Sequence, residues 1–214
     1  MASAQSQLQR ENERVRIESR GGGLDALFVL NNLAVGGSET KVVRLANSLS
    51  ARGLRIGIAY LNEPTTLLNE IQPQVATFFL SRQGRFSVKA SAALRRLIEE
   101  QRPRNVLSVN LYPALYVVTA TSLSRHKPRT IGLMNTTRMD GARLKQTFYT
   151  HVLRHLDWTV YGCELQRDVW LSSASPMRPH SSVIYNGVDV SRFSPSRAGV
   201  GDQRARYGIG EHAF

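Results

Sequence analysis

The 214-residue sequence predicts an α/β protein with a doubly wound, mostly parallel, Rossmann-like sheet of about seven strands. Three observations lead there. Short apolar runs alternate along the chain with segments whose apolar residues recur at helical spacing. The runs are nearly continuous rather than alternating with polar residues, as expected of strands covered on both faces. Loops containing Gly and Asn follow several runs, on the side where such sheets collect ligands.

Residues 1–23 are polar and charged, end in Gly21-Gly22-Gly23 and read as a mobile tail. Leu24 to Leu30 is apolar except for Asp25 and is the first predicted strand. Ser38 to Arg52 carries Val42, Val43, Ala46 and Leu49 at helical spacing, with Gly53 as the C-terminal cap. Strands are then predicted over Leu54 to Leu61 and Val75 to Leu80, a helix over Ser87 to Gln101, and a strand over Asn105 to Val109. A helix over Pro113 to Ser124, a strand over Thr130 to Met134 and a helix over Ala142 to His155 follow. Strand Trp158 to Tyr161, helix Glu164 to Leu171 and a short buried strand Ser182 to Tyr185 complete the set. With right-handed crossovers, the loops of interest are those after Leu30, Leu80, Val109, Met134 and Tyr161.

A chain of this length fits one domain able to bury about 70% of its unfolded surface. Its single cysteine, Cys163, forms no internal disulfide, and Met1 to Arg20 has no apolar signal core, so a reducing, cytoplasmic setting is expected. No run of about eighteen apolar residues is present to span a membrane. The net charge of +12 is local. Arg82 to Arg104 holds seven basic and two acidic residues, and Ser124 to His155 holds seven basic and one acidic, leaving the remainder nearly neutral. Such local fields attract phosphate groups, anionic lipid or nucleic acid. Aromatic residues are not interleaved with the basic ones as stacking platforms, which argues against nucleic acid.

The loop after the first strand, Asn31 to Glu39, places Gly36 and Gly37 directly before a helix. Two glycines let backbone N–H groups approach a ligand, and the helix start adds positive charge that suits a phosphate. A tight turn with Ser38 as N-cap and Glu39 against the dipole explains the same residues, and both readings can hold together. Neither a dinucleotide fingerprint nor a P-loop is present. Asn110, and then Asn135, Thr136, Thr137 and Arg138, follow the fourth and fifth strands. Uncharged hydrogen-bonding groups there suit sugar hydroxyls, and loop capping is the equal alternative. His151 and His155 lie four apart on one helix without a third metal ligand, so no metal site is expected. The helix from Ser87 keeps Ala90, Leu94, Leu97 and Ile98 on one side. With Arg82 and Arg85 before it and Lys89, Arg95, Arg96 and Arg102 elsewhere on it, this region suits an anionic membrane surface.

The segment Val183-Ile184-Tyr185-Asn186-Gly187-Val188-Asp189-Val190-Ser191-Arg192-Phe193-Ser194-Pro195 resembles the segment with which GT-B fold glycosyltransferases of the family 4 type leave their first domain. The family pattern reads roughly Val-Ile-Pro-Asn-Gly-Val-Asp-x-x-x-Phe-x-Pro, and Tyr185 stands at its usual Pro. The resemblance spans Leu24 to Pro195 and implies three parts: the tail 1–23, an acceptor-side domain 24–186, and a linker 187–214 that opens a second, missing domain. Asn186, Gly187, Val188 and Asp189 would then be the interdomain hinge, with the second domain supplied in cis or in trans. The resemblance further implies a retaining enzyme that transfers a sugar from a nucleotide diphosphate-sugar without cofactor or metal. Gly36, Gly37 and Ser38 would face the donor diphosphate, and Asn110, Asn135, Thr136 and Arg138 a sugar, lipid-linked or phosphorylated acceptor. Where relatives often show histidine, this chain has Asn110 and Asn135, so no acid/base role carries over. Such an enzyme would work in the cytoplasm, peripherally on the inner face of the membrane, and this half would be inactive alone. A non-catalytic α/β module docking on anionic membranes or polyanions is the alternative.

Overall fold

The structure is a computed structural model and describes residues 23–84, 86–136, 143–173, 180–188, 190 and 205–208, the side chains of 143–147, 149 and 173 excepted. Among them, β1 (Ala26–Leu30), β2 (Ile56–Tyr60), β3 (Ala76–Phe79), β4 (Asn105–Val109), β5 (Arg129–Met134), β6 (Trp158–Tyr161) and β7 (Ser181–Val183) form one sheet. Their order is β3-β2-β1-β4-β5-β6-β7 and every neighbouring pair is parallel. All five residues of β2 are buried, as the continuous apolar run requires of a strand covered on both faces.

Five helices connect the strands: α1 (Gly37–Ala51), α2 (Val88–Gln101), α3 (Leu111–Leu123), α4 (Arg143–Arg154) and α5 (Glu164–Ser173). Val42, Val43 and Ala46 of α1 pack with Phe28, Leu30, Ile56 and Ile58 in one cluster. Leu94 and Ile98 of α2, Val117 of α3, Val152 of α4 and Trp170 of α5 pack with Leu27, Val29 and Val106 in a second. Alternate residues of β1 point into the two clusters, so each lies on its own face of the sheet. The chain leaves β1 toward β2 and β3 but leaves β4 toward β5, which makes the β1/β4 boundary the switch point where such sheets open a crevice.

The register brings the carboxyl ends level. Leu30 pairs with Tyr60, Val109 with Leu133, and Met134 with Tyr161, so the loops that follow emerge side by side.

Several elements differ in detail from the sequence expectation. Helix α1 begins at Gly37, and its N-cap is Gly36 in an extended conformation with no side-chain cap, so Ser38 is a helical residue rather than the cap. The helix stops at Arg52, with Gly53 (φ 87) beyond it, as expected of a left-handed terminator. Helix α3 starts two residues before Pro113, because a first-turn residue has no intrahelical N–H bond to lose. A short 3-10 helix, Thr66–Glu70, buries Leu67 between β2 and β3 where the sequence predicted no element. The strand expected over Ser182 to Tyr185 is Ser181–Val183, and Ile184 is 61% exposed. As an edge strand β7 has one neighbour, which accounts for its half-buried residues.

The chain divides into two compact units, residues 1–184 and 185–214. Asn186, Gly187 and Val188 belong to the second, and Asp189 lies outside the described residues. Of the predicted tail only Gly23 is described. No helix among the described residues is long and apolar enough to cross a membrane.

Candidate functional site

The loop leaving β1 is anchored rather than loose. Leu33 is fully buried and its N–H donates to Pro64 O at 3.0 Å, while the Ala34 N–H donates to Asn32 Oδ1 at 3.2 Å. This fixes the start of α1 at the carboxyl edge of the sheet.

The two glycines there serve no evident packing purpose. Gly36 has φ −150, open to any residue, and a Cβ on it would meet only the mobile end of Glu39. A Cβ on Gly37 would meet no described atom within 4 Å. Gly132 in β5 is different, because a Cβ there would lie 2.8 Å from Leu156 Cδ1 in the core. The first turn of α1 carries no side chain at Gly37 and has the Glu39 carboxylate beside Gly36, at the positive end of a fifteen-residue helix.

Across the switch point, Asn110 occupies the N-cap position of α3 but makes no side-chain cap bond. Its Oδ1 instead accepts from the Asn135 N–H at 3.0 Å, joining the β4 and β5 exits. Asn110 has φ 65 and ψ −179, a region nearly reserved to glycine, where a residue stores on the order of 1–3 kcal/mol of strain. Asn135 Oδ1 in turn accepts from Lys41 Nζ of α1. Lys41 is half-buried, and loss of water holds its ammonium below the ordinary lysine range. Near the positive end of a helix, neither the dipole nor burial favours a lysine, so its placement points to the site.

Thr136 follows, and its carbonyl accepts from both Gln166 Nε2 and Trp170 Nε1 of α5, each at 2.8 Å. Gln166 Oε1 accepts from the Gly162 N–H at 2.7 Å, so one buried amide ties the β5 and β6 exits to α5. Thr137 and Arg138 lie outside the described residues.

A second group spans the other strand exits. Asn31 after β1, Asn62 after β2 and Arg82 after β3 are linked in series: Asn62 Nδ2 donates to Asn31 Oδ1 at 3.3 Å, and Arg82 Nε donates to Asn62 Oδ1 at 3.1 Å. The Arg82 guanidinium lies 4.6 Å from the ring centroid of Tyr112, in the first turn of α3. Arg82 therefore stands apart from the membrane-facing set in which its position in the sequence placed it. An amide oxygen and an aromatic face at the sheet edge draw it inward.

Of the rest of that set, Lys89, Arg95, Arg96 and Arg102 are exposed, and Arg85 lies outside the described residues. Arg95 pairs with Glu99 at 3.8 Å and Arg96 with Glu100 at 2.6 Å, each one turn along α2. Ala90, Leu94, Leu97 and Ile98 are in the core, so α2 offers solvent its polar face.

The structure thus joins Asn110, Asn135 and Thr136 to the helix that carries Gly36, Gly37 and Ser38. The connecting residues Lys41 and Gln166 escaped the sequence reading. The one available signal was a lysine in an early turn of a helix. His151 and His155 are both exposed, with rings 4.6 Å apart at the end of α4, and no metal-binding cluster is found among the described residues. A depression of about 420 Å³ lined by Arg129, Ile131, Asp157, Trp158 and His180 lies at the amino ends of β5 to β7, away from the carboxyl edge. Asp157 there is engaged by Thr130, whose N–H and Oγ both donate to it.

Comparison with known proteins matches residues 35–192 to the model of Glycosyltransferase Family 4. Among solved structures, Anabaena HepE in complex with UDP aligns with a TM-score of 0.70 at 14% identity, over 86% of this chain and 50% of that one. Sucrose-phosphate synthase from Thermosynechococcus elongatus aligns with a TM-score of 0.65 at 12% identity, over 87% and 53%. The lipopolysaccharide outer core galactosyltransferase WaaB in its apo form aligns with a TM-score of 0.59 at 15% identity, over 77% and 46%. At these identities the likeness is one of fold, and the chain spans about half the length of each structure. A search among curated protein sequences gave no match.

Proposed function

The chain belongs to glycosyltransferase family 4, and from that premise we propose that it is the acceptor-side half of a retaining enzyme that transfers a sugar from a nucleotide diphosphate-sugar. The observation that carries this reading is the bare turn at Gly36 and Gly37. It sits at the mouth of the switch point, with nothing described within 4 Å of a Cβ on Gly37, at the positive end of α1, in hydrogen-bonded continuity with Asn135 and Asn110 through Lys41. Backbone N–H groups so placed suit a diphosphate whose charge grows as the sugar leaves. Asn110, Asn135 and Thr136 offer directional donors and acceptors for the hydroxyls of an acceptor, and the clamp from Gln166 and Trp170 keeps Thr136 in place.

In this reading a second domain, in cis or in trans, hinged near Asn186 to Asp189, holds the rest of the donor, and catalysis needs the cleft closed between the two. Purified 1–214 should therefore turn over no nucleotide sugar, while the same chain joined to its donor-side domain should. Radiolabelled sugar transfer measures both. Turnover by 1–214 alone would overturn the division of labour, and no transfer by the joined protein would favour the non-catalytic module.

We place the enzyme on the cytoplasmic face of a membrane, held there by α2. Lys89, Arg95, Arg96 and Arg102 are exposed along it, and Phe86 and Val88 are 48% and 74% exposed at its start. A polybasic cluster contributes about 1 kcal/mol per basic residue near an anionic surface. Internal pairing of Arg95 and Arg96 with Glu99 and Glu100 reduces that share. Co-sedimentation with anionic vesicles should fall several-fold in the combined Arg95→Gln, Arg96→Gln, Arg102→Gln variant and weaken with salt. Equal binding to neutral and anionic vesicles would remove the membrane from this picture.

A further inference from the structure

We propose that His151 and His155, at the carboxyl end of α4, form a two-ligand site for a divalent transition-metal ion of the nickel, copper and zinc group, completed by water. The inference goes beyond the glycosyltransferase reading and does not depend on it. Spacing alone, without a third ligand, predicted no metal site, and among the described residues no third protein ligand joins the pair. The fold adds the approach of the two rings and the fixed tautomer of one of them.

An imidazole ligates through one ring nitrogen about 2.0–2.1 Å from the metal, which puts its ring centre roughly 3.2 Å away and two neighbouring ligand rings roughly 4.5–5.2 Å apart. The rings of His151 and His155 stand 4.6 Å apart, inclined by 57°. His155 Nδ1 lies 2.8 Å from the His151 carbonyl oxygen. That oxygen can only accept, so Nδ1 carries the proton and Nε2 of the neutral ring keeps its lone pair for a metal. A backbone carbonyl on the far nitrogen is the support that ligating histidines ordinarily have, because it fixes ring orientation and tautomer together.

The turn that presents the pair is anchored. Val152 and Leu153, between the two histidines, and Leu156 beyond them are buried in the core. The His155 and Leu156 N–H groups donate three residues back, to Val152 O at 3.1 Å and Leu153 O at 3.2 Å, which tightens the end of the helix. Both histidines are exposed, so water can fill the remaining coordination positions. Capping explains His155, whose Nδ1–H satisfies a carbonyl of the last turn. It does not explain a second imidazole at the separation of a ligand pair. Imidazole suits nickel, copper and zinc rather than calcium or magnesium, and of these copper binds most tightly. A bound ion bridges residues one turn apart and so resists fraying of the end of α4.

Calorimetric titration of tag-free 1–214 with nickel chloride tests the site, nickel being preferred as the probe because a cysteine thiol competes for copper and zinc. A single nickel ion should bind with micromolar affinity, and nickel at about a hundredfold excess over its Kd should raise the melting midpoint by several degrees. His151→Gln and His155→Gln should each weaken binding at least tenfold. The double variant should be little weaker than either, because one imidazole alone no longer chelates. His180→Gln, which removes an exposed histidine elsewhere on the surface, should leave the affinity as it was. His151→Gln keeps the His155 side chain and so carries the test if His155→Gln loosens the helix end. Nickel affinity equal to the parent's in His151→Gln, or millimolar binding in the parent that several histidines share, would overturn the proposal. Either result leaves the transferase reading standing, because sugar transfer is measured separately.

Discussion

Trp170→Ala should destabilise the domain by about 3–5 kcal/mol, a large part of the roughly 5–15 kcal/mol available to a domain of this kind. Trp170 is 1% exposed, the largest fully buried side chain among the described residues, and it packs in the cluster that binds α5 to the sheet. Truncation removes the indole from this cluster and leaves a cavity between layers that relax only in part. The indole N–H also holds the Thr136 carbonyl, so the substitution loosens the β5 exit as well. Trp170→Phe separates the two effects. It keeps most of the packing, and the Thr136 carbonyl still has Gln166, so the loss should be roughly half as large. Chemical denaturation followed by circular dichroism reads both values. A Trp170→Ala variant within about 1 kcal/mol of the parent would mean that α5 is not docked on the core as described.

Gly37→Val should weaken binding of a nucleotide diphosphate-sugar to the two-domain protein by tenfold or more while leaving the stability of this domain within about 0.5 kcal/mol. The two halves of that expectation come from the same geometry. Gly37 is the first helical residue, and a Cβ on it meets no described atom within 4 Å. Removing glycine freedom from the unfolded chain even favours the folded state slightly. The branched side chain would project where a phosphate must approach the first-turn N–H groups, so affinity falls without a fold defect. Gly37→Ala should give a smaller loss of affinity with equal or higher stability. A variant that folds normally and binds the donor like the parent would leave Gly36 and Gly37 as a plain helix start.

Much of the fold is legible in residue order. The apolar run 24–30, the helical spacing of Val42, Val43 and Ala46, and the repeated alternation give the seven strands and five helices found among the described residues, with boundaries shifted by up to about two residues. Boundaries drift because they depend on caps. Gly36 rather than Ser38 caps α1, and Pro113 sits inside the first turn of α3. The glycine turn before α1 was legible as well, as a local pattern of two glycines ahead of a helical period. Cys163 and the histidines offered no signal beyond packing or surface, and the structure places Cys163 half-buried just before α5.

By itself, then, the sequence determined the alternation of elements, the parallel sheet and the bare turn before α1, because these are local consequences of hydrophobic period and backbone freedom. The tertiary structure alone decided where the long polar side chains go. Lys41 and Asn135 are 94 positions apart yet hydrogen-bonded. Arg82, in a basic window that suggested a solvent or lipid face, is drawn inward by an amide from the β2 loop and a ring from α3. Asn110 adopts a backbone conformation that no local preference selects and is tied to the amide of Asn135. Such contacts arise where parallel strands end level and their loops meet. The free energy of a flexible cation or amide depends on which partners the sheet order brings within reach, and sequence distance carries no record of that.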